Sequence, residues 1–128
     1  MDIVTKKQLN ILIQLAEADK HFAKIEREMI YKIAAERNFS EEMVSELIRN
    51  PEPIDSLGAL SVNQKFDYLM SCVELVFADQ NVFESELIFC KNIAIKLGFK
   101  KGVIDYFVEH FNDKSHEDFK KIALSEYI

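Results

Sequence analysis

Three glycines and two prolines are all the backbone breakers in this 128-residue chain, so long helices meet few interruptions. Tryptophan is absent. Only two cysteines occur, Cys72 and Cys90, without CxxC spacing and inside apolar helical patterns. Buried reduced thiols account for them better than a disulfide, and such thiols suit a reducing cytoplasm. No block of Lys or Arg stands out against a net charge of −6, and an acidic field repels phosphate backbones, which argues against a nucleic-acid partner. No apolar run approaches the roughly 20 residues needed to span a bilayer. The first helical segment is interrupted by Asn10, Gln14 and Glu17, which does not fit the apolar core of a signal peptide. The expected location is cytoplasmic.

Catalytic signatures are also missing. There is no Gly-rich phosphate loop, no nucleophile elbow, no HExxH and no Glu-x-x-His pair of the kind that builds di-iron bundles. His21, His110 and His116 are scattered, and Glu17 and His21, spaced i and i+4, straddle an expected helix end. A non-enzymatic protein is expected.

What is present is a repeat. Ala18-Asp19 with Glu26 recurs as Ala78-Asp79 with Glu86, 60 positions later in each case. The same ungapped offset pairs Leu9 with Leu69, Leu15 with Leu75, Ile33 with Ile93, Ala34 with Ala94 and Phe39 with Phe99. It also sets Met43, Val44, Leu47 and Ile48 opposite Val103, Ile104, Phe107 and Val108. A register held from residue 9 to residue 48 marks an internal duplication.

With 48% apolar residues the chain forms one domain, 1–128, able to bury about two-thirds of its unfolded surface. The 3.6-residue periodicity predicts seven helices near 5–18, 23–37, 40–49, 61–78, 84–97, 101–111 and 115–127. A Thr5/Gln8 capping box with a Val4/Leu9 staple opens the first, Ser40 caps the third, Ser61 with Gln64 boxes the fourth, and Ser115 caps the seventh. Asn38 and Gly98 stop the second and fifth. Ile25, Met29, Ile33 and Ala34 form the expected inward face of the second helix. The run LIFCKNIAIKLGF, apolar on several sides, marks the fifth as the expected most buried helix. Tyr31, Tyr68, Tyr106 and Tyr127 are expected at helix-face edges with wet hydroxyls. The fold class is all-α: two three-helix halves (about 5–50 and 61–111) related by a pseudo-twofold, a connector at 51–60 that begins at Asn50-Pro51-Glu52-Pro53, and a C-terminal helix at 115–128.

The repeated acids need a separate explanation. Asp19 and Asp79 fall where helices end, and a carboxylate there costs roughly 0.3–1 kcal/mol against the macrodipole. Glu26 and Glu86 fall in the first turns of the next helices, where negative charge is favoured. Each Asp either folds back to accept backbone N–H groups and stitch the corner, or converges with its Glu as hard oxygen ligands for a divalent cation. Glu84 adds an oxygen donor beside the second corner. The candidate metal residues are Asp19, Glu26, Asp79, Glu86 and Glu84, although the spacing is not that of an EF-hand and its central Gly is missing.

Around these corners, LAEADKHFAKIEREMIYKIAAERNFS and VFADQNVFESELIFCKNIAIKLGFK resemble the tellurite-resistance TerB family and its relatives, including the N-terminal region of DjlA-type co-chaperones. The family pattern is an apolar helix ending in Ala-Asp-Gly, a Glu seven residues beyond the Asp, and a helix ending in Leu-Gly. The resemblance covers nearly the whole chain and implies an all-α bundle with pseudo-twofold symmetry and a link to metal-stress response. It carries Asp19, Glu26, Asp79 and Glu86 over as ion-binding or interaction residues. Lys20 and Gln80 stand where the family has Gly, and the Lys20 ammonium can take a cation's place at the first corner. Two functions follow: a divalent-cation-binding, metal-stress module, or a helical adaptor for a protein partner with no ion requirement.

Overall fold

The structure is a computed structural model that describes residues 3–18, 23–54, 56–78 and 82–128. Among these it has seven helices and no strand: α1 (Ile3–Ala16), α2 (Lys24–Glu36), α3 (Glu41–Arg49), α4 (Val62–Phe77), α5 (Glu84–Lys96), α6 (Val103–His110) and α7 (His116–Glu126). None of them is long and apolar enough to cross a membrane.

The core forms around α1 and α4. From Leu9 to Ala16, α1 is buried on almost every side except at Gln14, and α4 is buried likewise from Tyr68 to Val76 except at Glu74. A helix apolar all round must be enclosed, and these two pack against each other with α2 and α3 on one and α5, α6 and α7 on the other. Burying one such aliphatic side chain contributes about 1.5–3 kcal/mol. Polar contacts fix how the central pair lies. Gln8 on α1 donates to Ser71 on α4 at 3.1 Å, Arg37 from the end of α2 donates to Gln8 and, at 2.9 Å, to Asp67, and Tyr68 donates to the Val4 carbonyl. No buried side-chain nitrogen or oxygen among the described residues lacks a partner.

Local structure repeats with the sequence. The helices α2 and α5 begin and end exactly 60 positions apart. Both finish in a Schellman turn. Asn38 (φ 58°) and Gly98 (φ 92°) take the left-handed position, and the next N–H, of Phe39 or Phe99, returns to the Ala34 or Ala94 carbonyl at 2.9 Å in each copy. Those two phenylalanines are buried beyond the turn. The ends of α1 and α4 also match, with the Ala18 and Ala78 N–H groups bonded to the Leu15 and Leu75 carbonyls at 3.1 Å. The packing order repeats too: α1 lies on α2 and α3, and α4 on α5 and α6. Ser40, Ser61 and Ser115 cap α3, α4 and α7 as expected.

Several expectations are corrected. The first helix already runs through Thr5, which is buried rather than capping, and Gln8 is spent on the α1–α4 contact instead of a box. The inward face of α2 is Glu26, Ile30 and Ala34; Ile25 is 47% exposed, and Met29 and Ile33 are only half-buried. The helix is turned by about 100°, one residue, because its first turn buries Glu26. The most buried helices are α1 and α4, not α5, whose Ile88 and Ile95 are 51% and 56% exposed. Tyr68 is fully buried rather than sitting at an edge. Described residues of the connector, about which the sequence makes no packing claim, dock on α1 and the core. Asn10 on α1 donates to the Glu52 carbonyl at 2.9 Å and accepts from the Glu52 N–H at 3.0 Å, Lys6 pairs with the Glu52 carboxylate at 2.7 Å, and Leu57 is buried.

Candidate functional site

At each corner the structure describes the glutamate. Glu26 is the third residue of α2, and its Oε1 accepts the Ala23 N–H at 3.1 Å; Glu86, third in α5, accepts the Phe83 N–H at 3.4 Å. Ala23 and Phe83 have extended backbones but no side-chain acceptor to return the bond. Among the described residues each box is therefore one-sided: the glutamate accepts the N–H of the residue before the helix, and that residue's side chain returns no bond. Both carboxylates are about as buried as the core, 2% and 1% exposed, and lie at helix N-termini, where the macrodipole favours negative charge. A buried charge is costly unless paired or hydrogen-bonded, so the repeated burial is a specific feature of these corners rather than a solvated face.

Asp19 and Asp79 lie outside the described residues, so whether they meet Glu26 and Glu86 is not part of the described geometry. Glu84 is exposed in the first turn of α5, while Glu86, two residues on, is buried. No group of three His, Cys, Asp or Glu able to hold a metal ion forms among the described residues. His110 and His116 are each near a separate carboxylate, Asp113 at 3.9 Å and Glu74 at 3.6 Å.

Cys72 and Cys90 are free and buried, as expected. Hydrogen bonding to Cys72, then burial, then the Cys72 and Glu86 charges push the Cys90 thiol well above its ordinary range. A thiol held protonated in this way is a poor nucleophile.

Two surface features did not follow from reading the chain as a core pattern. The first is a groove of about 350 Å³ beside α3, with Phe39, Met43 and Leu47 as its floor and Lys6, Glu46, Asn50 and Glu52 around it. On its rim Glu46 binds the Asn50 amide at 2.8 Å and the Arg49 guanidinium at 2.9 Å, and these two, the amide first, hold its carboxyl below the usual range. The second is the outer face of α5, where Ile88 and Ile95 are 51% and 56% exposed, with Phe83, just before the helix, 38% exposed; the positions 60 earlier hold Glu28, Ala35 and Ala23. That difference between copies was readable in the sequence, since a fold that tolerates Glu28 does not need Ile88.

Comparison of the chain with family models, with curated proteins and with solved structures gave no match.

Proposed function

We propose that this chain is a non-catalytic, TerB-like helical module that binds a protein partner in the cytoplasm, with the groove beside α3 as its docking site. The observation that carries this reading is the groove: an apolar floor of Phe39, Met43 and Leu47 inside a polar rim of Lys6, Glu46 and Glu52. Apolar floors with a few placed polar groups are how concave sites gain both affinity and orientation. The net charge of −6 disfavours nucleic acid and favours a basic partner surface. A pseudo-twofold between the halves, as in the family it resembles, belongs to the same reading.

A small apolar probe tests it. Isopropanol titrated into the protein, with backbone amides followed by NMR, should shift residues around Phe39, Met43 and Leu47 before the scattered exposed residues Ile3, Val62 and Ile128. Shifts spread evenly over every exposed aliphatic would remove the groove as a site.

The buried pair Glu26 and Glu86 supports a second reading, in which Asp19 with Glu26, and Asp79 with Glu86 and Glu84, hold a divalent cation for a metal-stress role. That reading requires an ion response, whereas the docking reading requires none, because an ion that binds only the folded state raises its stability by mass action.

A further inference from the structure

The duplication offers a template for what fills the groove, because the second copy carries a helix with no counterpart in the first. In the second copy the floor positions Phe39, Met43 and Leu47 become Phe99, Val103 and Phe107; Phe39 and Leu47 are buried like their counterparts, whereas Met43 is only half-buried and Val103 is fully enclosed. The helix α7 covers this side. Its Phe119 lies 4.8 Å from the Phe107 ring and 6.4 Å from Tyr106, ring centre to centre. Tyr127, the residue after its last turn, lies 5.8 Å from Tyr106 and accepts the Lys100 N–H through its carbonyl. The other wall is α4, against which α7 packs. In the first copy the matching wall is α1, and the connector covers it only in part: Asn10 and Gln14 hold the Glu52 backbone, the latter at 2.6 Å to the carbonyl. The groove begins at Glu52 and extends over Phe39, Met43 and Leu47. By the 60-residue offset its floor matches the surface that α7 covers in the second copy.

Resting on the docking reading above, we propose that the groove receives an amphipathic helix from a partner protein, seated as α7 is seated on the second copy and carrying a basic residue where α7 has Tyr127. The apolar spacing follows from α7, where Phe119 and Ala123 are buried and Ile122 and Tyr127 half-buried, a stripe at i, i+3, i+4 and i+8. The basic residue follows from a difference between the copies. Tyr106, on which Tyr127 packs, corresponds to Glu46, whose carboxylate is held in its charged form at the rim. Stacking in the second copy is thus replaced in the first by an exposed carboxylate that already holds Arg49 and Asn50 from its own helix end, and a partner's guanidinium or ammonium would share it.

The test uses the full chain with three synthetic peptides covering residues 115–128, SHEDFKKIALSEYI: unmodified, with Tyr127→Arg, and with Tyr127→Arg plus Ala123→Pro to break the helix. The Tyr127→Arg peptide should bind saturably and shift the amides of Phe39, Met43 and Leu47. It should bind about two- to fivefold more tightly than the unmodified peptide, the scale of one exposed ion pair, and lose that margin at high salt. The Glu46→Ala protein, altered only at an exposed rim residue, should lose the margin too. The Met43→Glu protein should bind at least about tenfold more weakly, because the helix would bury a charge.

Shifts at Phe99 and Val103 instead would mean that the peptide displaces the chain's own α7, and would overturn the proposal. So would concentration-dependent dimers in sedimentation, which would make a second copy's α7 the occupant. Equal binding of the proline peptide would discard the helix and keep the groove. Failure of all three peptides would also discard the helix, and the isopropanol titration would then decide the groove separately.

Discussion

Two isoleucines on α5 separate packing from everything else that a truncation changes. Ile93 is 2% exposed and Ile95 is 56% exposed, two residues apart in one helix. Changing either to Ala gives the same small gain in helix propensity, so the difference between the variants isolates the environment. Ile93→Ala removes three carbons worth about 0.8 kcal/mol each, roughly 2.4 kcal/mol, and leaves a cavity that brings the expected loss to about 2–5 kcal/mol. Ile95→Ala should stay within about 0.5 kcal/mol of wild type, as surface substitutions do. For 128 residues at about 2.1 cal/mol/K each, the first loss lowers Tm by roughly 7–18 °C and the second by less than about 2 °C. Urea unfolding followed by circular dichroism measures both, with an unchanged slope showing that the unfolded states are comparable. Equal losses at the two sites would refute the phase of α5 described here, and a loss below about half a kcal/mol at Ile93 would remove α5 from the core.

Other positions give sharp expectations. Gly98→Ala should cost about 1–2 kcal/mol in chemical unfolding, since φ 92° is a backbone that an L side chain rarely adopts, whereas Asn38→Gly in the matching turn should be close to neutral. Ser61→Ala, which removes half of a reciprocal box with Gln64, should cost about 1 kcal/mol and leave the circular dichroism spectrum unchanged. Cys72 and Cys90 should resist a thiol reagent at pH 8 until the chain unfolds. Because the folded Cys90 thiol titrates above its unfolded value, its contribution is complete below the ordinary range near about 8.5 and falls as pH rises beyond it, so stability should decline on that alkaline side.

The helices were readable because their punctuation is local. Ser40, Ser61 and Ser115 cap from their own side chains, and Asn38 and Gly98 sit where a helix must turn left-handed to stop. The phase of α2 was misread because a charged residue was assigned outward. The repeat carried the correct answer, since Glu26 with Ala34, and Glu86 with Ala94, lie eight residues apart on one face in both copies. Gln8 reads as half of a capping box and Asn10 as an interruption of an apolar stripe, whereas they bind Ser71 and the Glu52 backbone, 63 and 42 positions away in sequence, which periodicity cannot register. The groove was hidden for a similar reason. Phe39, Met43 and Leu47 have the spacing of a core face, and spacing alone does not tell a covered face from one that lines a groove. Of the candidate metal residues, burial of Glu26 and Glu86 does not follow from the apolar pattern, and their bonds to the Ala23 and Phe83 N–H groups are local contacts that periodicity does not register.

The choice between docking module and cation binder rests on what Glu26 and Glu86 do, and melting curves address it directly. The measurement is Tm for wild type and for the Glu26→Gln/Glu86→Gln double variant, in EDTA and then with Ca²⁺, Mg²⁺, Mn²⁺ or Zn²⁺. The docking account predicts that neither protein responds to any ion, and that the double variant melts lower by the same margin in every buffer, having lost about 0.3–1 kcal/mol of charge–dipole stabilisation per site. A wild-type Tm that rises and saturates with one ion, by as much as about 2.7 kcal/mol of added stability at a hundredfold excess over Kd, and does not rise in the variant, would contradict that account and make the corners a metal site.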